Sequence, residues 1–150
     1  MRTELFRMLF YYESGAMTDL DIVQWAMNQV VNGNESVIVN ELAALPGNEQ
    51  GKTKLLLNQA ISDMGLNYPS QEDFALYRIK LICEEIAGGK IPQSRGCQLL
   101  KKGCSAIEQP QLLAKIQDLI CYLSDQKFPE KSALIYRLIY NIDNYLNLGN

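Results

Sequence analysis

Apolar residues recur along most of this chain every three or four positions, which is the spacing of a helix with one buried face. No segment alternates convincingly between apolar and polar residues, as a half-buried strand would. The best strand candidate, residues 36–40, is short and continues into helix-favouring residues. Residues 2–13 show the helical pattern clearly, with their large apolar side chains on one side: Leu5, Phe6, Leu9 and Phe10.

Residues that start and stop helices divide this pattern into eight segments. Thr18 with Asp21, and Ser70 with Asp73, match the capping box, in which a hydroxyl and a carboxylate satisfy free N–H groups at a helix start. Glycines after the apolar stripes and prolines before them mark further ends and starts. The predicted helices cover residues 2–13, 18–32, 36–45, 49–64, 70–87 and 92–100, then one helix that begins at Pro110 and a last one that begins at Pro129.

About eight helices with short connections predict an all-α fold. The length of 150 residues suits a single irregular helical domain, and the helix count argues against a four-helix bundle. Residues 66–69 could divide the chain into two halves, 1–65 and 70–150. Each half is small for an independent core, so we expect the two halves to pack together as one domain.

The composition argues against most enzyme classes. Histidine is absent, which removes the side chain that most often transfers protons or binds metals at neutral pH. The four cysteines form no C-x-x-C pair, and the chain contains no G-x-S-x-G motif. We therefore predict that the protein is not an enzyme and has no catalytic residue, metal site or cofactor. An all-cysteine metal site and chemistry by lysine, cysteine or carboxylates stay open as alternatives.

The segment Gly47–Thr53 is similar to a phosphate-binding P-loop, whose backbone and lysine cradle phosphate groups. It has three residues between its glycines, whereas the P-loop has four, and the segment before it is predicted to be helical. Its backbone N–H groups would therefore not converge on a phosphate. We interpret the segment as a turn at Pro46-Gly47 and a helix start near Asn48.

Negative charge is concentrated in the first third of the chain. The net charge is −3, and the isoelectric point is near 5.0. Residues 1–50 hold two basic and seven acidic residues, a net charge of −5, whereas residues 51–100 and 101–150 each carry +1. This balance disfavours nucleic acid and anionic membranes as partners. The acids form either solvated helix faces or a surface that meets a basic partner.

The amino-terminal residues do not read as an export signal. Arg7 interrupts their apolar run, and no small-residue cleavage site follows. No stretch approaches the ~18 apolar residues that a bilayer-spanning helix needs. Cysteines without a pairing pattern suit a reducing compartment. We therefore expect a cytoplasmic protein that contacts no membrane.

Two aromatic features could lie in the core or at an interface. Trp25 falls about one position outside the apolar stripe of its helix, so it either seals the core or anchors a partner. Tyr136 and Tyr140 are four residues apart on the last helix, on a different side from its isoleucines. They form either a second buried face or an exposed aromatic strip of the kind found in protein interfaces.

One segment resembles a known family. Residues 75–93 read as a helix, the run Gly-Gly-Lys-Ile-Pro and the start of another helix. This element resembles one in small, mostly helical bacterial proteins encoded beside polymorphic toxins, namely immunity proteins, including those of contact-dependent growth inhibition systems. The capped helix that begins at Thr18 and carries Trp25-Ala26 is similar in style. The resemblance implies a protein that binds and neutralises a cognate toxin domain, and it assigns no contact residue by motif.

The charge pattern predicts where such a protein would bind its toxin. Nuclease toxins are commonly basic because their substrate is polyanionic, and an acidic inhibitor gains association rate and specificity from that charge. For the immunity protein, we therefore predict that a basic toxin domain binds at the acidic first third through Glu13, Asp19, Asp21, Glu35 and Glu41, with Trp25 as an anchor.

The alternative function is a helical adaptor or subunit that binds another cellular protein through the Tyr136 and Tyr140 face of its last helix.

Overall fold

The computed structural model describes residues 1–47, 49, 51–125 and 131–148. Within these residues the chain forms eight α-helices, a short 3-10 helix at Cys104–Ala106 and no strand, so the all-α prediction is confirmed. The α-helices are α1 (Thr3–Glu13), α2 (Asp19–Val31), α3 (Val37–Ala43), α4 (Lys52–Asp63), α5 (Gln71–Ala87), α6 (Gln93–Gly103), α7 (Pro110–Ser124) and α8 (Lys131–Leu146).

The chain divides into two compact units, an amino-terminal unit of Met1–Pro69 and a carboxy-terminal unit of Ser70–Asn150. The amino-terminal unit contains α1 to α4, and the carboxy-terminal unit contains α5 to α8. The boundary falls at the end of the segment 66–69, where the sequence predicts a division. The packing of the two halves into one domain stays a prediction.

Both predicted capping boxes are confirmed. Thr18 N–H donates to Asp21 Oδ2 at 2.8 Å, and Asp21 N–H donates to Thr18 Oγ1 at 3.4 Å. Ser70 and Asp73 make the same two hydrogen bonds at 2.9 and 3.1 Å. Each box satisfies backbone donors that have no partner within the helix, which fixes the starts of α2 and α5.

Two predicted helix starts differ from the structure or lie outside it. α4 begins at Lys52, later than the predicted start at residue 49. Gly51 directly precedes α4 with a φ of 83°, a left-handed conformation that glycine adopts without strain. Asn48, the predicted helix start, and Pro129, the predicted start of α8, lie outside the described residues.

In the amino-terminal unit, α2 packs against α3 and α4, and α3 packs against α4. Burying one large apolar side chain contributes roughly 1.5–3 kcal/mol, and the buried residues of this unit add such contributions together. Thr53 is also buried, and its hydroxyl donates to the Glu49 carbonyl oxygen at 3.4 Å. The apolar side chains with no exposed surface are Leu9, Ile22, Ala26, Leu42, Leu57, Ala60 and Ile61.

In the carboxy-terminal unit, α5 packs against α6 and α8, and α7 also packs against α6 and α8. Glycines on α6 permit a close approach to α5. A Cβ placed on Gly96 would clash with Ile86 Cδ1, and one placed on Gly103 would lie 3.3 Å from Ile79. Both glycines and both isoleucines are seven residues apart, which is two helical turns, so one face of α6 lies along one face of α5.

Candidate partner-binding surfaces

The two units carry different net charges. The amino-terminal unit has four basic and eight acidic residues, a net charge of −4, whereas the carboxy-terminal unit has ten basic and nine acidic residues, a net charge of +1. Both lysines of the amino-terminal unit lie beside acids. Lys54 Nζ lies 3.1 Å from Glu13 Oε1, and Lys52 Nζ lies 3.4 Å from Glu49 Oε2. Each of these lysines therefore forms an ion pair with an acid of its own unit.

Glu13, the first acid of the predicted contact surface, has an internal structural role. Besides its ion pair with Lys54, its carboxylate accepts a hydrogen bond from the Tyr68 hydroxyl at 2.8 Å. Burial, and then this hydrogen bond to a carboxylate, raise the pKa of Tyr68 above its ordinary value. Glu13 thus joins the end of α1 to α4 and to the segment after α4. Its part in binding a partner stays a prediction.

Asp19 and Asp21 lie in the first turn of α2, where the helix dipole favours negative charge. Asp19 Oδ1 accepts a hydrogen bond from the Tyr12 hydroxyl at 2.6 Å, which ties α1 to the start of α2. Burial, and then this hydrogen bond, raise the pKa of Tyr12. Asp21 belongs to the capping box. Both acids therefore help to build the fold, and their role in a contact surface also stays a prediction.

Of the predicted surface acids, Asp21, Glu35 and Glu41 are exposed, and Glu35 and Glu41 have no capping role. Glu35 lies in the connection before α3, and Glu41 lies on α3. Neither forms an ion pair or hydrogen bond with the side chains that the structure describes. A third exposed acid lies close by, because Asp63 Oδ2 accepts a hydrogen bond from the hydroxyl of Ser36, the residue after Glu35. Exposed negative charge is therefore grouped around α3.

Trp25 is half-buried and lines an open groove in the amino-terminal unit with a volume of about 450 Å³. Its exposed part distinguishes Trp25 from a residue that only seals the core. The groove lies among α1, α2 and the residues that follow α4. Its apolar lining is Leu5, Met8, Trp25, Met64 and Leu66, and its polar lining is Arg2, Glu4, Asn28 and Gln29.

Most of the residues that line the groove are not among the contact residues predicted from the sequence. The spacing of Leu5 and Met8, and of Trp25, Asn28 and Gln29, places each set on one side of its helix, and this signal is present in the sequence. Which helices adjoin is a property of tertiary packing, and single-helix periodicity does not contain it. Only Trp25 is shared between the predicted surface and the groove.

The tyrosines of α8 form an exposed strip. The exposed fractions of Tyr136 and Tyr140 are 60% and 65%, while Ile135, Leu138 and Ile142 of the same helix are buried. The structure thus supports the exposed alternative over a second buried face. Tyrosine contributes strongly to interfaces because it combines a large apolar ring with a hydroxyl group.

The cysteines differ in exposure. Cys83 and Cys97 are buried, Cys104 is half-buried and Cys121 is exposed. Burial, followed by the charge of Glu84, raises the pKa of the Cys83 thiol to about 12, and burial also raises the pKa of Cys104. A raised pKa keeps a thiol protonated and unreactive at neutral pH.

Within the described part of the chain, no group of three or more cysteine, aspartate or glutamate side chains could hold a metal ion. Among the helices described, none combines the length and the apolar character needed to cross a membrane. Comparisons of the chain with protein-family models, curated proteins and solved structures found no match. The resemblance to immunity proteins therefore stays a prediction.

Proposed function

We propose that this chain is a cytoplasmic bacterial immunity protein that binds a basic toxin domain with the acidic surface of its amino-terminal unit and thereby neutralises it. The observation that supports this proposal best is the confinement of excess negative charge to that unit, where both lysines are paired with acids. Glu35 and Glu41 are exposed around α3. The choice of an immunity protein among binding proteins rests on the resemblance of residues 75–93.

The acidic surface would raise the association rate of a basic toxin more than it would raise the affinity. Charges around an interface steer the encounter and raise association rates by roughly 10- to 1,000-fold at low salt. The attraction fades as salt screens it, with a Debye length of about 8 Å at physiological ionic strength. The proposed role requires a stable helical body and a complementary surface, and it requires no catalytic group.

The product of the reading frame directly upstream of this gene is the first toxin to test. Its expression alone should arrest growth, and co-expression of this chain should restore growth. Deleting that reading frame should make this gene dispensable, because an immunity protein has no task without its toxin. Growth arrest that this chain does not relieve would contradict the immunity function.

Charge reversal tests which surface binds. The double variant Glu35→Lys with Glu41→Lys should lower the association rate at low salt by about 10-fold or more and flatten its salt dependence. The control double variant Glu85→Lys with Glu108→Lys makes the same change of charge at exposed positions of the carboxy-terminal unit. Equal losses of association rate in the two double variants would contradict binding through the amino-terminal unit.

A second candidate function is an adaptor or subunit that binds another protein through α8. The exposure of Tyr136 and Tyr140 supports it, because neighbouring exposed tyrosines favour protein contacts. In that case Tyr136→Ser with Tyr140→Ser should weaken partner binding at least about 10-fold, and Glu35→Lys with Glu41→Lys should leave it unchanged. The gene of an adaptor would also stay necessary after deletion of the upstream reading frame.

A further inference from the structure

The groove beside Trp25 has an apolar floor and charged margins. Tryptophan, two methionines and two leucines line it, and methionine side chains adapt to differently shaped apolar ligands. Arg2 and Glu4, at the start of α1, border one part of it. Met64 borders another part and directly follows the exposed Asp63, which is hydrogen bonded to Ser36 beside Glu35. Apolar surface and negative charge therefore lie next to each other.

The groove suits a segment of a protein better than a small molecule. Small-molecule sites usually enclose most of the ligand surface and aim a few fixed polar groups at it. Here Arg2, Glu4 and Asn28 are exposed and Gln29 is half-buried, so the polar lining is at the margin. An open apolar trough with polar margins is the form of a groove that receives the apolar face of a helix.

A helical occupant fits better than an extended one. An extended peptide gains affinity by adding its backbone hydrogen bonds to the edge of a sheet, and the described residues of this unit form no strand. A helix satisfies its own backbone N–H and C=O groups and needs only side-chain contacts from the groove. The net charge of −4 on the unit and the exposed Asp63 and Glu35 favour lysine or arginine beside the apolar face.

We propose that the groove beside Trp25 binds a basic amphipathic helix of the partner protein, with apolar side chains against Trp25 and Met64 and basic side chains toward Asp63 and Glu35. This inference rests on the proposed function, since it names the part of the toxin that this surface would hold. Trp25 and Met64 then supply the affinity, and the acids supply the orientation and the association rate.

A synthetic peptide tests the groove without any toxin. The probe is an amphipathic helix of leucine and lysine about 18 residues long, since isolated helices shorter than ~12–15 residues are marginal. Trp25 is the sole tryptophan of the chain, so its fluorescence reports on the groove directly. Binding should shift the emission to shorter wavelength. A scrambled leucine–lysine peptide and an amphipathic leucine–glutamate peptide should bind at least about 10-fold more weakly.

A matched pair of variants separates the groove from the general charge of the unit. Met64→Glu places a carboxylate in the groove at a residue that is 37% exposed, and Leu55→Glu adds the same charge at a residue of α4 that is 57% exposed and does not line the groove. Met64→Glu should weaken binding of the leucine–lysine peptide at least about 10-fold, and Leu55→Glu should leave it nearly unchanged. Both variants alter partly exposed side chains, and circular dichroism checks that each remains folded.

Several results would overturn the proposal. Equal binding of the scrambled or leucine–glutamate peptide would show that helical amphipathicity or basic charge is irrelevant. Equal affinity in Met64→Glu and Leu55→Glu would place the peptide elsewhere, and binding of a small apolar dye at Trp25 without binding of the peptide would indicate a small-molecule site. If the peptide binds but the chain does not protect growth, the immunity function is contradicted. If the chain protects growth but the peptide does not bind, helix binding in the groove is contradicted.

Discussion

Within the described residues, each unit has four α-helices and one capping box, yet the buried contacts of their charged side chains differ. In the amino-terminal unit, carboxylates accept hydrogen bonds from tyrosine hydroxyls, as in Tyr12 with Asp19. In the carboxy-terminal unit, a largely buried lysine meets an acid directly: Lys80 Nζ lies 2.7 Å from Asp143 Oδ1, and only 12% of the Lys80 side chain is exposed.

Each unit also contains the other kind of contact, but in a more exposed form. Lys54, which pairs with Glu13, is 52% exposed, and the hydrogen bond from the Tyr145 hydroxyl to Glu72 at 3.3 Å is exposed. The part-buried contacts are therefore tyrosine hydrogen bonds in the amino-terminal unit and a lysine ion pair in the carboxy-terminal unit.

The hydrogen bond from Tyr12 lets Asp19 hold the fold together without losing its negative charge. A tyrosine hydroxyl that donates to a carboxylate gives one of the carboxylate oxygens a hydrogen-bond donor and leaves the negative charge of the carboxylate in place. A lysine that pairs with a carboxylate cancels the charge. Asp19 therefore still contributes to the electrostatic field of the amino-terminal unit, whereas Asp143 contributes little beyond its pair with Lys80. Internal bonding and a role in steering a partner are thus compatible for Asp19.

The largest predicted effect comes from breaking the ion pair of the carboxy-terminal unit. Lys80→Met would leave the Asp143 carboxylate, whose side chain is 28% exposed, without its cation. We expect a loss of about 2 to 3 kcal/mol in the free energy of unfolding, less than the ~3–5 kcal/mol for a fully buried pair because Asp143 retains some contact with water. Denaturant titration followed by circular dichroism measures the loss.

The matched variant in the amino-terminal unit is Lys54→Met. The Lys54 side chain is 52% exposed, so water screens its attraction to Glu13, and the cost should be at most about 1 kcal/mol.

In the carboxy-terminal unit, the double variant Lys80→Met with Asp143→Leu should recover part of the stability that Lys80→Met loses, because it removes the unpaired charge. A cost for Lys54→Met that equals or exceeds the cost for Lys80→Met would contradict the contrast between the units.

The units also differ in how they use glycine, and this gives the second prediction. Gly33 of the amino-terminal unit lies in a turn with a φ of 93°, whereas Gly96 of the carboxy-terminal unit lies within α6 against Ile86. Gly96→Ala would force its Cβ into the Ile86 side chain. We expect a net loss of about 1 to 3 kcal/mol by overpacking, although alanine favours a helix by about 1 kcal/mol over glycine.

Two comparisons check this explanation by denaturant titration. Gly33→Ala has open space around its Cβ and should cost about 1 kcal/mol from backbone strain alone. Gly96→Ala should cost less in an Ile86→Ala background than in the wild-type background, because the clashing atoms are gone. Additive costs of Gly96→Ala and Ile86→Ala would show that the clash does not cause the loss.

The sequence predicted features that depend on residues close together along the chain, and it missed features that depend on tertiary packing. Both capping boxes and the helix order follow from residues within a few positions of each other. The spacing of Lys80 and Glu84 predicts an ion pair, and the two lie 3.8 Å apart, but the closer partner is Asp143, far along the chain. Only tertiary packing brings that acid to Lys80.

The buried faces of helices show the same limit. The pattern of α1 places Leu5 in the buried stripe, yet Leu5 is half-buried and lines the groove, while Met8 is buried. Similarly, Met27 fits the periodic stripe of α2 but is 46% exposed. Periodicity locates the centre of a helix face, and neighbouring helices decide which residues at its edges are covered. A groove consists of such edge residues, so most of its lining was unpredicted.

The third prediction uses pH to separate the units. The Cys83 thiol has its pKa raised from the ordinary value of 9.0 to about 12 by burial, so above pH 9 the unfolded chain loses a proton that the folded chain keeps. Stability should therefore fall as pH rises through this range, by up to about 1.4 kcal/mol per pH unit. Denaturant titrations at pH 8, 9 and 10 under reducing conditions measure this slope.

Cys83→Ala should reduce the slope between pH 9 and 10, and part of the remaining slope comes from Cys104, whose pKa burial also raises. Tyr68→Phe in the amino-terminal unit should change this range less than Cys83→Ala and should reduce the loss chiefly above about pH 10, where tyrosines ionise in the unfolded chain, so a further titration at pH 11 measures it. An unchanged slope in Cys83→Ala would mean that the buried thiol is not responsible for the alkaline loss.

The smallest predicted effect is also the one that should be equal in the two units. Thr18→Ala and Ser70→Ala each remove the hydroxyl of a capping box and should each cost about 1 kcal/mol, since both hydroxyls accept a backbone N–H from the third helical residue. Denaturant titration gives the cost, and hydrogen exchange in the first turns of α2 and α5 confirms that the effect is local. Equal costs would show that a helix cap depends on a few adjacent residues and is insensitive to the −4 or +1 charge of its unit. Sites that are distant and independent should not influence each other, so the two costs should differ by less than about 1 kcal/mol. A larger difference would mean that the charge of each unit alters even the local hydrogen bonds of its helix cap.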